Sequence, residues 1–534
     1  MAEMLLSGPE DKLAVVSGEK RITNGELKDR IFRLANGLND LGMKRKGNLG
    51  TMLYNTNEFI EGMFAPILTG STTTPINWHL KGDELAYVIN NSDSRTLIFD
   101  EGFLDNIIPI KSDLEQVENF VVVGDVDKSK ITDDMILYDD LLAKSSNEKP
   151  EPPESAEMGI LMYTGGTTGR PKGANWGSLF SSLSDRSKSR DKDTMKYTMG
   201  MMQNLVSGFG YPATTNIHLA AGPLYHAAPY AFALVTCILR GTIITMKKFK
   251  PEEALKLIET EKASTSFMAP TLVKRIMNVE DKDKYDVSSM KSIIIAAAPC
   301  PASLKKEAAD YFGPVIYEFY GSSDAAINTI LKPDHYKKDP SKFASVGKVA
   351  KGNDMLILDE NGNECPPGVQ GELYVRNALT LGLEYYKAPD KTQKAFRIIN
   401  GVPYFDEGEI MLKDEEGFFY VADRKKDMII SGGVNIYPAE IEEVLHTHPK
   451  IMDVAVIGVP DDDWGESVKA IVVLKPGESA TEEDIIKFGK ENLSGYKKPK
   501  SVDFLDELPR HPDGKLMKRE LRKKYWGDKK LSDF

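Results

Sequence analysis

The stretch Tyr163-Thr164-Gly165-Gly166-Thr167-Thr168-Gly169-Arg170-Pro171-Lys172-Gly173 governs how the rest of the chain is read. It follows the apolar run Gly159-Ile160-Leu161-Met162, which suits a strand. Its first three glycines remove side chains, so backbone N–H groups can approach an anion closely. Thr164, Thr167 and Thr168 add hydroxyl donors and Lys172 adds a positive charge. Such a loop suits a polyphosphate. It is not a Walker A loop, which needs GxxxxGK followed by Ser or Thr, a string absent from this chain.

Outward from this loop the chain alternates helical and strand-like patterns. Leu27, Ile31, Leu34 and Leu38 recur at helical spacing, while RTLIFD, FVVVGD and KSIIIAAAP read as buried strands. Strands alternating with helices imply parallel sheets covered by helices. Asn147 to Glu157, charged and proline-containing, reads as an exposed linker. The run Arg424-Lys425-Lys426-Asp427 cannot lie in a core and marks a boundary between residues 1–425 and 426–534. Beyond it, Pro438 opens a helix with Ile441, Val444 and Leu445 on its apolar face, and DVAVIGVP and VKAIVVLKP read as strands.

Composition bounds the function. The 534 residues carry a formal net charge of -12 and no long basic stripe, which argues against sequence-independent nucleic-acid binding. Cys237, Cys300 and Cys365 lie far apart, so neither a zinc site nor a disulfide framework is expected, and a reducing compartment fits. His446 and His448 read as surface residues without a metal role. The opening residues do not read as a secretory signal, the closing ones match no retention or peroxisomal address, and no apolar run approaches membrane-spanning length. A cytoplasmic placement is expected.

Further motifs follow in order: Gly222-Pro-Leu-Tyr-His226, Ala296-Ala297-Ala298-Pro299, Tyr317-Glu318-Phe319-Tyr320-Gly321-Ser322-Ser323-Asp324, Tyr404-Phe405-Asp406-Glu407-Gly408-Glu409, Ser431-Gly432-Gly433 and Leu508-Pro-Arg-His-Pro-Asp-Gly-Lys515. Taken together with the glycine-rich loop, they resemble the adenylate-forming superfamily of acyl- and aryl-CoA synthetases, luciferases and peptide-synthetase adenylation domains. The resemblance runs from about Glu26 to Arg522. It implies an α/β fold: a large N-terminal unit of several subdomains with parallel and mixed sheets, joined by a hinge at Lys426 to a small α+β C-terminal unit.

The resemblance also assigns roles. Thr164, Gly165, Gly166, Thr167, Thr168 and Gly169 would cradle the ATP phosphates with Lys172. Ala297, Ala298, Pro299, Glu318, Phe319, Tyr320 and Gly321 would line the nucleotide, with Tyr320 against the adenine. Ser323 would meet the α-phosphate or acyl oxygen, and Asp324 and Thr167 would bind Mg2+. Glu409, aided by Arg424 and with Tyr420 nearby, would hold the ribose. Lys515 would reach the acyl carboxylate and α-phosphate, and Gly432 and Gly433 would line the passage for coenzyme A. His226, Ala296 and Gly321 would face the acyl group. Four departures stand out: Gly165 where many relatives have Ser, Asp324 and Glu409 with carboxylates of swapped length, and Ile430 where lysine is common.

The implied reaction is ATP-dependent formation of an acyl adenylate, release of pyrophosphate, and transfer to coenzyme A. PLYHAAP together with GGTTGxPKGANW resembles synthetases for fatty or sterol-like acids, which implies a hydrophobic monocarboxylate, medium- to long-chain fatty or bulky cyclic; Phe232, Leu234 and Val235 read equally as the lining of an apolar pocket or as a buried core helix. No aspartate is present there to pair with an α-amine, which argues against an amino acid. An adenylate former with another acceptor, an aryl-acid CoA ligase and a binding protein that lost catalysis stand as alternatives. A homodimer is left open.

Overall fold

The computed structural model describes residues 8–43, 47–127, 130–151, 159–164, 171–177, 197, 199–201, 203–212, 215–424, 427–431, 434–461, 464–493, 497–510 and 516–526. Its strands form three sheets. One has the order Glu384–Tyr385, Lys172–Asn175, Gly159–Thr164, Thr72–Pro75, Asn48–Met52, Ser94–Asp100, Asn119–Val123 and Met135–Leu137. From Gly159–Thr164 onward its neighbours run parallel, and the other two strands join antiparallel.

The largest sheet has a parallel half and an antiparallel half. Leu13–Ser17, Thr242–Thr245, Ile217–Ala220, Thr265–Met268, Ser292–Ile295 and Ile316–Ser322 are parallel neighbours. Ala326–Leu331, Gly347–Val349, Phe418–Arg424, Val402–Lys413, Gly371–Asn377 and Asn353–Leu358 continue it antiparallel. The Ser-Ile-Ile-Ile strand is buried throughout, as expected where helices cover both faces.

Between these two sheets runs the helix Asn24–Leu38, whose buried face includes Leu27, Ile31, Leu34 and Leu38, the periodicity read from sequence. A capping box starts it: Glu26 N donates to Thr23 Oγ1 at 3.3 Å, and Thr23 N to Glu26 Oε2 at 2.8 Å. Such a cap stabilises by about 1 kcal/mol. The helices Pro251–Glu261, Pro270–Met277 and Ala302–Phe312 cover the outer face of the largest sheet.

The third sheet orders Val434–Ile436, Ile429–Ser431, Gly465–Leu474 and Ile451–Asp461, with Ser501–Phe504 parallel to Gly465–Leu474. Along Ile451–Asp461, Val454 and Val456 face the helices Pro438–His446 and Glu482–Asn492, while Ala455 and Ile457 face the helix Lys518–Trp526. Burial on both faces explains why the strand reads as an unbroken apolar run. Pro438 occupies the first turn of its helix, where its missing N–H needs no partner. Among the described residues no helix is long and apolar enough to cross a membrane.

Candidate active site

A cleft of about 3010 Å³ opens where the parallel half of the largest sheet, the phosphate-loop strands and the C-terminal sheet converge. It exceeds the ~300–1,000 Å³ of ordinary small-molecule pockets, so it has room for more than one ligand group. Strand Ser292–Ile295 delivers Ala297 to its wall, whereas Ala296, expected to face the acyl group, is buried in the cluster with Phe232 and Phe267 because a strand end alternates its side chains between faces. Ala297 has φ 78°, a left-handed conformation that a side chain strains by about 1–2 kcal/mol. The chain thus holds alanine where its backbone favours glycine.

Strand Ile316–Ser322 turns back into Ala326–Leu331 and displays Tyr320, Gly321, Ser323 and Asp324 along the cleft. A Cβ on Gly321 would sit 1.8 Å from the Ala326 carbonyl oxygen, so no larger residue fits. Ser322 Oγ accepts from Ala325 N at 3.0 Å and fixes the turn. Trp176 Nε1 donates to the Ser323 carbonyl at 2.9 Å, tying the turn to the strand that carries Lys172.

Tyr385 joins Lys172 to Asp324. Its strand pairs with Lys172–Asn175 through Ala174. Its hydroxyl donates to Asp324 Oδ2 at 2.9 Å, and the Lys172 ammonium lies 4.7 Å from its ring centroid. Burial, then the Asp324 charge, raise the phenol far above its ordinary range, so it stays a donor. No motif in the sequence marks Tyr385.

Glu407, within YFDEGE but not singled out by sequence, stands at the same place. Asn328 Nδ2 donates to its Oε1 at 2.7 Å and Ser322 Oγ at 3.3 Å. Burial first, then the charges of Glu409 and Asp324, push its carboxyl up to about 8. Glu409 faces Arg424 in backbone register on the next strand. The wall therefore concentrates negative charge where a cation would relieve it.

Two expected nucleotide contacts use their polar groups elsewhere. The Glu318 carboxylate is buried against Lys305 Nζ at 2.5 Å, and that ammonium also donates to the Ser345 carbonyl at 3.1 Å. The Tyr420 hydroxyl donates to Asp414 Oδ2 at 3.1 Å, although its side chain lines the cleft. Phe319 lies in the wall, 8% exposed, within an aromatic cluster with Phe209, Phe232 and Phe267.

The apolar end of the cleft is the helix Ala227–Ile238, which contributes Ala231, Leu234, Val235 and Ile238. His226 caps this helix, half-buried against the Tyr225 ring at 4.3 Å between centroids. Ala298 and Pro299 lie along the same wall. Gly165, Gly166, Thr167, Thr168, Gly169, Lys426, Gly432, Gly433 and Lys515 lie outside the described residues; so does the Lys425–Lys426 boundary, and of Thr164 and Arg424 only the backbone is described.

Residues 5–386 match the AMP-binding enzyme family, and residues 440–515 match the AMP-binding enzyme C-terminal domain. The chain belongs to the AMP-binding enzyme family. A medium/long-chain-fatty-acid–CoA ligase, FadD8 of Mycobacterium tuberculosis, is 28% identical over 97% of this chain and 88% of its own. A feruloyl-CoA synthase of an Amycolatopsis species is 31% identical over 96% of each chain. Among solved structures, ATP-bound MatB from Rhodopseudomonas palustris aligns at a TM-score of 0.82 with 26% identity, covering 99% of this chain and 100% of that one. As a member of the AMP-binding enzymes, this chain is an AMP-forming acid–thiol ligase.

Proposed function

We infer that the protein activates a hydrophobic monocarboxylic acid, medium- to long-chain fatty or bulky cyclic, and transfers it to coenzyme A. The observation that carries this reading is one cleft with two chemically opposite ends. The Lys172–Tyr385–Asp324 assembly supplies charge at one end, and the helix Ala227–Ile238 offers an apolar wall at the other.

In the first step a carboxylate oxygen attacks the α-phosphorus of ATP. The bond to the β-phosphate oxygen breaks and pyrophosphate leaves. In this reading Lys172 offsets negative charge on the phosphates, Ser323, which lines the cleft, would meet the α-phosphate or acyl oxygen, and Lys515 would add a second cation. No side chain forms a covalent bond, so the protein acts by positioning and electrostatics. In the second step the thiol of coenzyme A attacks the acyl carbonyl, the acyl–oxygen bond breaks and AMP leaves. By resemblance, the small unit would turn about Lys426 between steps, withdrawing Lys515 and bringing Gly432 and Gly433 to the passage for coenzyme A.

Mg2+ fits the donor set, since carboxylate oxygens are the hard ligands it prefers and phosphate oxygens supply the rest. Asp324, with Thr167, would hold it, and its chemistry there is neutralisation of phosphate charge. The free thiols Cys237, Cys300 and Cys365 suit a cytoplasmic, reducing setting.

AMP and pyrophosphate release from Mg·ATP, measured across a panel of acids with and without coenzyme A, tests this reading. AMP formation that requires coenzyme A and favours long or bulky acids is expected. Equal turnover of acetate would overturn the substrate class, and coenzyme A-independent turnover would overturn the acceptor.

A further inference from the structure

Asp324 and the Tyr385 hydroxyl that holds it lie 61 residues apart, and a buried asparagine touches the backbone on both sides of that bond. Asn377 ends the strand Gly371–Asn377 and is 4% exposed. Its Nδ2 donates to the Ala325 carbonyl at 2.7 Å and to Asn353 Oδ1 at 2.8 Å, and Asn328 Oδ1 shares the same two hydrogens at 3.2 Å. Its Oδ1 accepts from Leu379 N at 3.0 Å and from Thr380 N at 3.1 Å. These partners fix which way the amide points, because a backbone carbonyl only accepts and a backbone N–H only donates.

The acceptor half is an Asx turn, a common local use of asparagine. It opens the short helical turn Thr380–Gly382, which leads the chain to the strand Glu384–Tyr385. Asn377 N donates to Thr380 Oγ1 at 2.8 Å and clamps the same turn. The donor half reaches a different hairpin. Ala325 N already bonds Ser322 Oγ at 3.0 Å, so capture of the Ala325 carbonyl by Asn377 closes the turn that carries Ser323 and Asp324. Asn328, which also contacts Asn377, passes on to Glu407 Oε1 at 2.7 Å. Leu383 and Tyr385 then pack against Ala325 itself. A local turn needs only the Oδ1 contacts; the Nδ2 contacts join the Asp324 turn to the Tyr385 segment.

We propose that Asn377 is a positioning residue that sets the register between Asp324 and the Tyr385 hydroxyl, so that the carboxylate meets the metal–nucleotide complex in one orientation. This rests on the acyl-adenylate reading above, in which Asp324 holds Mg2+. Asn377 touches neither nucleotide nor acid and acts through the two segments it joins. Its loss therefore weakens the metal-dependent part of ATP binding and spares the part that the base and ribose supply. A hydrogen bond to a charged group carries about tenfold or more in affinity, and misaiming Asp324 forfeits that scale of effect.

The test is a double-mutant cycle between Asn377 and Tyr385 in the full-length protein, read by calorimetry of ATP binding with Mg2+ and with EDTA. Asn377→Asp keeps the shape and the Oδ1 acceptor and loses the amide donors. It is expected to weaken Mg·ATP binding by about tenfold while metal-free ATP binding stays within about twofold. Tyr385→Phe should do the same. The double variant should bind Mg·ATP within about twofold of the weaker single variant, because both changes break one assembly. Additive losses near a hundredfold, or equal weakening with and without Mg2+, would make Asn377 a merely structural residue and overturn the proposal. If Asn377→Asp does not fold, Thr380→Val enters the same cycle. It removes the acceptor of the Asn377 N–H, and a loss that adds to that of Tyr385→Phe would again overturn the proposal. Acid-dependent ATP–pyrophosphate exchange by the parent checks the underlying reading separately: its absence would refute the adenylate reaction, while the binding cycle still decides the role of Asn377.

Discussion

Replacing Glu407 by Gln should change how stability depends on pH. The Glu407 carboxyl titrates near 4.5 when exposed and at about 8 in the fold. Between those values the folded protein keeps a proton that the unfolded chain has lost. Stability from this group is therefore full below pH ~4.5 and declines as pH rises to about 8. The shift is 8 − 4.5 = 3.5 units, which at ~1.36 kcal/mol per unit would be about 5 kcal/mol. One side of Glu407 opens to the cleft, and screening there leaves roughly half, ~2–3 kcal/mol. Gln keeps the acceptor that Asn328 and Ser322 use but cannot ionise. With an unfolding entropy of ~2.1 cal/mol/K per residue over roughly 400 residues, that difference amounts to ~3 °C in Tm. Thermal melts of both proteins from pH 5 to 9, without ATP or Mg2+, should converge at the acid end and separate steadily to pH 8, the variant melting higher. Parallel curves would refute a proton-bearing Glu407.

Two further substitutions probe the reaction centre. Tyr385→Phe keeps the ring beneath Lys172 and removes the hydrogen bond to Asp324, so adenylate formation should fall by about tenfold and need more Mg2+ for half-maximal rate. An unchanged Mg2+ titration would contradict the placement of Asp324. Gly321→Ala drives a Cβ into the Ala326 carbonyl, and a loss of more than about 3 kcal/mol in denaturant unfolding is expected; a loss below 1 kcal/mol would show that the turn can open.

Local periodicity carried most of the fold. The helix Asn24–Leu38 and the strands Ser94–Asp100, Asn119–Val123 and Ser292–Ile295 follow from spacing and apolar runs, because the periodicity of an element is written along the chain whichever remote elements bury it. The reaction centre was legible as motifs, and motifs name segments better than side-chain partners. Tyr385 reaches Asp324 and Lys172 only through sheet pairing between remote strands, which no local pattern encodes. Glu318 sits in a recognisable motif, yet its carboxylate meets Lys305 on a neighbouring helix, as burial of an acid demands a cation. Glu407 lies inside a quoted motif, but its importance comes from Asp324 and Asn328 on a different hairpin.

The central claim is that the acid's own oxygen attacks the α-phosphorus. A single turnover with 18O-labelled carboxylate, ATP and coenzyme A tests it directly by mass spectrometry of the nucleotide product. Attack at the α-phosphorus followed by thiol attack on the acyl carbon leaves one labelled oxygen in AMP. Unlabelled AMP, or ADP with label in inorganic phosphate, would contradict it.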